Sequence, residues 1–197
     1  MRIIAGSAGG IPLRLPKHDI RPTMEKIRGA IFSSLGDRII GARVLDLFAG
    51  SGAFGLEALS RGAANATFVD HHRDAIAAIQ SNFEKTKLRG AIIRLDVFGF
   101  LESNREPFDL IFADPPYSKS PSDPDPASEL LSSPFAPAAL ANDGLLILER
   151  ATGSAVVDPR VWSVIRAKRY GGTEVLILAK GANEMRIAER GLRNEKQ

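Results

Sequence analysis

Apolar positions along this chain switch repeatedly between two periods. Runs of alternating or continuous apolar residues, four to seven long, are followed by stretches with helical spacing. Strands are predicted at 43–48, 66–69, 91–95, 108–113, 145–149, 162–168 and 174–179. Helices are predicted between them at 53–61, 73–87, 98–103 and 127–140. Ahead of the first strand, Ile27, Ile31 and Leu35 share one face of a helix predicted over 24–35, with Thr23 placed to cap it. Residues 1–17 read as two short extended pieces around Gly6-Ser7-Ala8-Gly9-Gly10. The polar tail, 181–197, reads as a frayed helix or disorder. Strands alternating with helices predict an α/β fold: a mostly parallel seven-stranded sheet, covered on both faces. The turn Tyr170-Gly171-Gly172-Thr173 predicts an antiparallel hairpin at one edge. The organisation is therefore an N-terminal extension over 1–42, a main domain over 43–180 and a tail over 181–197.

Composition narrows the class. The 197 residues are 44% hydrophobic and 25% charged, as in an ordinary globular domain. With no cysteine, disulfides, thiolate metal sites and a thiol nucleophile are excluded. The N-terminus carries no apolar signal core, so a soluble cytoplasmic protein is expected, with no membrane partner. Residues 1–43 hold eight Lys/Arg against three acids, a net +5 that leaves −2 for the rest of the +3 chain. Arg14, Lys17, Arg21 and Arg28 are the candidates for contacts to nucleic-acid phosphates. Ordinary surface charge is the alternative reading of each.

Candidate chemistry collects after the strands. Asp46-Leu47-Phe48-Ala49-Gly50-Ser51-Gly52 closes the first one, and Gly50 and Gly52 permit a sharp turn close to a ligand. Gly50 to Gly55 formally match the dinucleotide fingerprint, with Asp70 at the next strand end. Against that reading, the Asp46 carboxylate would face a pyrophosphate unfavourably. It suits a cationic sulfonium ligand with an ammonium group. A P-loop is excluded, because no Gly-Lys-Ser/Thr follows. Asp70 is placed to accept from ribose hydroxyls or to cap the next helix. Asp96 is placed to accept from an adenine amino group or to cap the short helix after it, and Val97 or Phe98 either packs on the adenine or belongs to the core. His18, His71 and His72 lack metal-ligand spacing and read as surface or loop residues, so no metal is expected. Trp162 reads as core.

Asp114-Pro115-Pro116-Tyr117 follows the predicted strand 108–113. A carboxylate, a proline carbonyl and an aromatic ring at one strand end suit a flat base with an exocyclic amino group. The ring stacks, and the two oxygens accept the amino hydrogens.

These segments together resemble the RsmD-type 16S rRNA guanine-N2 methyltransferases. The resemblance runs from Arg2-Ile3-Ile4-Ala5-Gly6 and Leu13 through Arg21-Pro22-Thr23 and Arg28 to the glycine loop. It continues through Leu56 to Ala63 and Asp114-Pro115-Pro116-Tyr117 to Arg169-Tyr170-Gly171-Gly172-Thr173. Gly29 departs from it, standing where that family has an acid. The resemblance implies a Rossmann-like class I methyltransferase fold and S-adenosylmethionine as cofactor. It also implies 16S rRNA as substrate, in a partly assembled small ribosomal subunit. The cofactor would meet Thr23, Asp46, Phe48, Gly50, Gly52, Asp70, Asp96, Val97 and Asp114, with Thr23 or Arg28 alternatively reaching its carboxylate. Asp114, Pro115 and Tyr117 would carry the methyl transfer. Methylation of adenine N6 or cytosine N4 stays open, as does a noncatalytic RNA-binding factor on the same fold.

Overall fold

The computed structural model describes residues 1–16, 24–118, 125–153 and 156–181. Helix α1 (Met24–Leu35) leads through a short 3-10 turn to β1 (Arg43–Leu47), α2 (Ala53–Ser60), β2 (Asn65–Val69) and α3 (Arg73–Thr86). Then come β3 (Ala91–Ile93), α4 (Val97–Ser103), β4 (Phe108–Ala113), α5 (Pro126–Ser132), α6 (Phe135–Ala138) and β5 (Leu140–Ala151). The hairpin β6 (Trp162–Tyr170) and β7 (Thr173–Lys180) closes the sheet. Strand order is β3-β2-β1-β4-β5-β7-β6. The first five strands are parallel, and β7 runs antiparallel between β5 and β6. This is the expected Rossmann-like sheet with its antiparallel edge hairpin.

One expected element is different. The single helix over 127–140 is two short ones, and β5 already begins at Leu140. A residue before proline is driven out of the helical region. Ser133, before Pro134, is extended at ψ 129°. Leu140 then pairs with Phe108, across an irregularity that the polar segment Asn142-Asp143-Gly144 disguised as a loop.

Each face of the sheet carries a core. On one, Ile27, Ile31 and Phe32 of α1 join Leu56 of α2 and Ile79 of α3. Phe112 of β4 stacks there between Phe32 and Phe54, at ring distances of 5.3 and 5.2 Å. On the other, Leu101, Leu130 and Leu131 cover Leu146 and Leu148. Trp162 lies here as a core residue, donating from Nε1 to the Leu131 carbonyl at 2.9 Å.

Buried polar side chains tie α1 and α2 to the N-terminal residues and α2 to β1. Glu57 of α2 is fully buried and accepts from the backbone N–H groups of Ile4 (2.7 Å) and Ala5 (3.1 Å) and from Arg61 (2.7 Å). Arg28 of α1, 1% exposed, stands 3.7 Å from the same carboxylate and donates to the Arg2 carbonyl. Gly6 passes so close to α2 that a Cβ there would lie 1.8 Å from the Ser60 carbonyl oxygen. Residues 1–16 are thus fastened along α2 and α3, with an antiparallel bridge between Arg2 and Pro12. Asp46 of β1, 2% exposed, accepts from the Gly55 N–H at 2.9 Å, which pins the start of α2 to the strand. Burial pushes its carboxyl from 3.8 up to about 8, and the nearby Asp70 charge adds to the rise, against the Gly55 bond and Arg28.

Both the room for a Cβ at Gly29 and the burial of Asp46 can be tested by stability measurements. A Cβ at Gly29 would make an ordinary contact of 3.6 Å with Ile4, so Gly29→Ala should stabilise the fold by about 1 kcal/mol in urea unfolding. Asp46 keeps a proton in the folded chain that the unfolded chain has lost between about pH 4 and about pH 8. Its contribution to stability is therefore complete at the acid end and lost as pH rises through that interval. Asp46→Asn should flatten the fall in unfolding free energy over that interval, and an unchanged slope would rule this assignment out.

Candidate active site

Leu47 of β1 pairs with Val69 of β2 and with Ala113 of β4. That register brings the residues after all three strands to the same level. They are Phe48 with the glycine loop, Asp70, and Asp114 with its prolines. This is the crevice at which the strand order reverses, where ligands of open α/β sheets bind. A cavity of about 450 Å³ lies there, and Asp46, Phe48, Gly50, Asp70, Asp114 and Pro115 line it.

The loop is shaped by backbone bonds to carboxylates. Gly50 and Gly52 are left-handed, at φ 54° and 75°, and so is Phe48 at φ 54°. A Cβ on Gly52 would also crowd Phe68 and Ile79 at 3.1 Å. Gly52 thus ends the loop and starts α2, while Gly50 faces the cavity. Asp70, 6% exposed, accepts from the Gly50 N–H at 2.9 Å and the His72 N–H at 2.8 Å. It does not cap α3, whose first flanking residue is His72. Each Asp70 oxygen keeps acceptor capacity for a ligand.

Asp114 is half-buried and Pro115 buried. Tyr117, half-buried, shares a 2.8 Å hydrogen bond between its hydroxyl and Thr173 Oγ1. That bond anchors the far end of the phenol ring to the β6–β7 turn.

Other expected residues lie elsewhere. Arg28 is corrected: it is a buried structural cation between α1 and α2, unable to reach a phosphate. Asp96 is exposed, and its Oδ1 accepts from the Phe98 and Gly99 N–H groups at 2.9 and 3.1 Å as the cap of α4. Val97 is corrected to a core residue, 1% exposed among the side chains below the sheet. Neither borders the cavity. Phe98 instead meets the cavity-lining Phe48 edge-on at 6.3 Å. Arg14 is exposed, while Lys17, Arg21 and Thr23 lie outside the described residues.

Three contributions were not anticipated. His71 and His72 line the cavity with their rings 3.7 Å apart. Pro16 closes one side of it. Asn82 of α3, fully buried, accepts from the Arg14 N–H (2.7 Å) and donates to the Arg14 carbonyl (3.0 Å) and the Ser51 carbonyl (2.9 Å). It ties the N-terminal segment to the glycine loop. The signal was a lone amide in the apolar stripe Ala75, Ala78, Ile79, Asn82. Among the described residues, no cluster of three His, Asp or Glu could hold a metal, and no helix is long and apolar enough to cross a membrane.

Comparison with known proteins bears on family and fold. Over 121 residues the chain is 37% identical to "Ribosomal RNA small subunit methyltransferase D" of Escherichia coli K12, a match spanning 60% of this chain and 61% of that protein. A solved structure of a hypothetical protein from Thermus superimposes with a TM-score of 0.74 at 30% identity, covering 91% of this chain and 99% of that one. The solved structure of SMU.776 complexed with SAH gives 0.65 at 18% identity, covering 81% of this chain and 50% of that one, a likeness of fold. The model of the family described as "Conserved hypothetical protein 95" matches residues 1–179. The chain therefore belongs to that family, the RsmD-type family its motifs resemble.

Proposed function

We propose that the chain is an S-adenosylmethionine-dependent methyltransferase acting on the N2 amino group of a guanine in 16S rRNA of the small ribosomal subunit. The observation that carries this reading is the convergence of Asp46, Asp70 and Asp114-Pro115-Pro116 on one cavity. Two buried carboxylates at the glycine loop suit a ligand bearing hydroxyls and positive charge, and disfavour a pyrophosphate. The relative named as a small-subunit rRNA methyltransferase and the SAH-bound structural neighbour support the same choice.

The residues divide the work. Asp70 would accept from ribose hydroxyls while its bonds to Gly50 and His72 keep it fixed. Asp46 would stand toward the ligand's cationic end, where positive charge opposes the effect of burial and favours its ionised form. Phe48, edge-packed on Phe98, would supply an apolar wall. The cofactor supplies an activated methyl group on a positively charged sulfur. The target base leaves its stack to reach the cavity. Tyr117 would stack on it, and Asp114 with the Pro115 carbonyl would accept the two amino hydrogens. Those bonds turn the nitrogen lone pair away from the ring and toward the methyl carbon. Orientation and fixed charge then provide most of the acceleration. The methylated nitrogen is acidic and releases its proton to Asp114 or to water.

Asp114→Ala should lower methyl transfer to undermethylated small subunits by about 100-fold or more. Calorimetry should find S-adenosylmethionine affinity within a few-fold of the parent. Retained transfer would remove Asp114 from the chemistry.

A further inference from the structure

Strand β6 is an edge strand whose residues 163–169 are all exposed. It carries Arg166, Lys168 and Arg169 and no acid. Its register with β7 sets the faces. Arg166 lies opposite Ile177, Lys168 opposite Val175 and Tyr170 opposite Thr173. Val175 and Ile177 belong to the core on the α1 side. Arg166, Lys168 and Tyr170 therefore form one row on that face, with Lys168 Nζ 5.3 Å from the Tyr170 ring centre. Arg169 points to the other face, paired with Glu174 at 3.3 Å yet 68% exposed.

Both ends of the row have a setting. At its C-terminal end, Tyr170 pairs with Thr173, whose hydroxyl is bonded to Tyr117 of the candidate active site. At its other end, Arg166 donates to Ser34 of α1 at 2.9 Å and borders a cleft of about 530 Å³. Arg38 and Lys180 also line this cleft, against one acid, Asp143. Tyr170 to Ile165 spans about 17 Å of extended chain. A basic track thus runs from beside Tyr117 to the end of α1.

We propose that this β6 track binds the phosphate backbone of the RNA substrate next to the target nucleotide. The inference rests on the RNA-methyltransferase reading above. Cations in a row without acids match a polyanion. Pairing with another β-strand is the opposing possibility, since Val164 and Ile165 are exposed at 49% and 59%. The cations and the irregular register between Val164 and Arg166 blunt the edge against it.

The test compares the full chain with the exposed-residue double variant Arg166→Gln/Lys168→Gln, the single variant Lys168→Gln and the control Arg105→Gln. Binding to unmodified 16S rRNA is measured across a salt series, alongside methyl transfer, S-adenosylmethionine affinity and sedimentation. The double variant should bind RNA about tenfold or more weakly, and its log-log salt slope should fall by about one per lost contact, with the single variant intermediate. KM for RNA should rise while saturated turnover and cofactor affinity stay at the parent's values, and Arg105→Gln should match the parent. Parent-like affinity and slope with methylation intact would overturn the track and leave the function standing. So would a dimer that only the β6 variants dissolve while RNA binding is unchanged. A parent that neither binds nor methylates RNA would overturn both readings.

Discussion

A single buried carboxylate, Glu57, joins the N-terminal segment to α1 and α2. Full burial of that charge is tolerable only because Ile4 and Ala5 donate their backbone N–H groups and Arg28 and Arg61 surround it. The segment so fixed runs on to Arg14, where Asn82 clasps its backbone, and to Pro16 at the cavity wall. One network therefore couples α1, α2 and the first residues of the chain to the geometry of the glycine loop.

The same logic shapes the candidate site. Asp46 on β1 and Asp70 directly after β2 are taken out of water, and each is held by backbone N–H groups of the loop or helix it serves. The bonds that build the turn leave carboxyl oxygens of both residues facing a largely apolar cavity. Such a cavity favours a cationic, hydroxyl-bearing ligand. Tyr117 and Thr173 extend the arrangement to the antiparallel hairpin, so the segment Asp114-Pro115-Pro116-Tyr117 is braced by the sheet's exposed edge.

Much of this was legible in the sequence, because apolar periodicity and glycine placement are local signals. β4 and α1 appear with the bounds their patterns predict, and Asp70 and Asp114 fall directly after strands. The failures are non-local. Arg28 sits beside Ile27 and was read by its charge; only the distant Glu57 shows why it is buried. Asp96 and Val97 were expected at a strand end, yet the edge strand β3 stops at Ile93; Asp96 caps α4, Val97 opens that helix in the core, and neither lines the cavity. The row on β6 escaped notice because alternation in a hairpin does not reveal which face a helix covers.

The central claim is that this cavity transfers methyl groups to a base amino group in small-subunit RNA. The direct measurement incubates the chain with labelled S-adenosylmethionine and undermethylated small subunits, naked 16S rRNA or DNA, then digests the product to nucleosides. Label is expected in N2-methylguanosine from the small-subunit substrate. Label in N6-methyladenine or N4-methylcytosine, or no label in any arm despite cofactor binding, would contradict it.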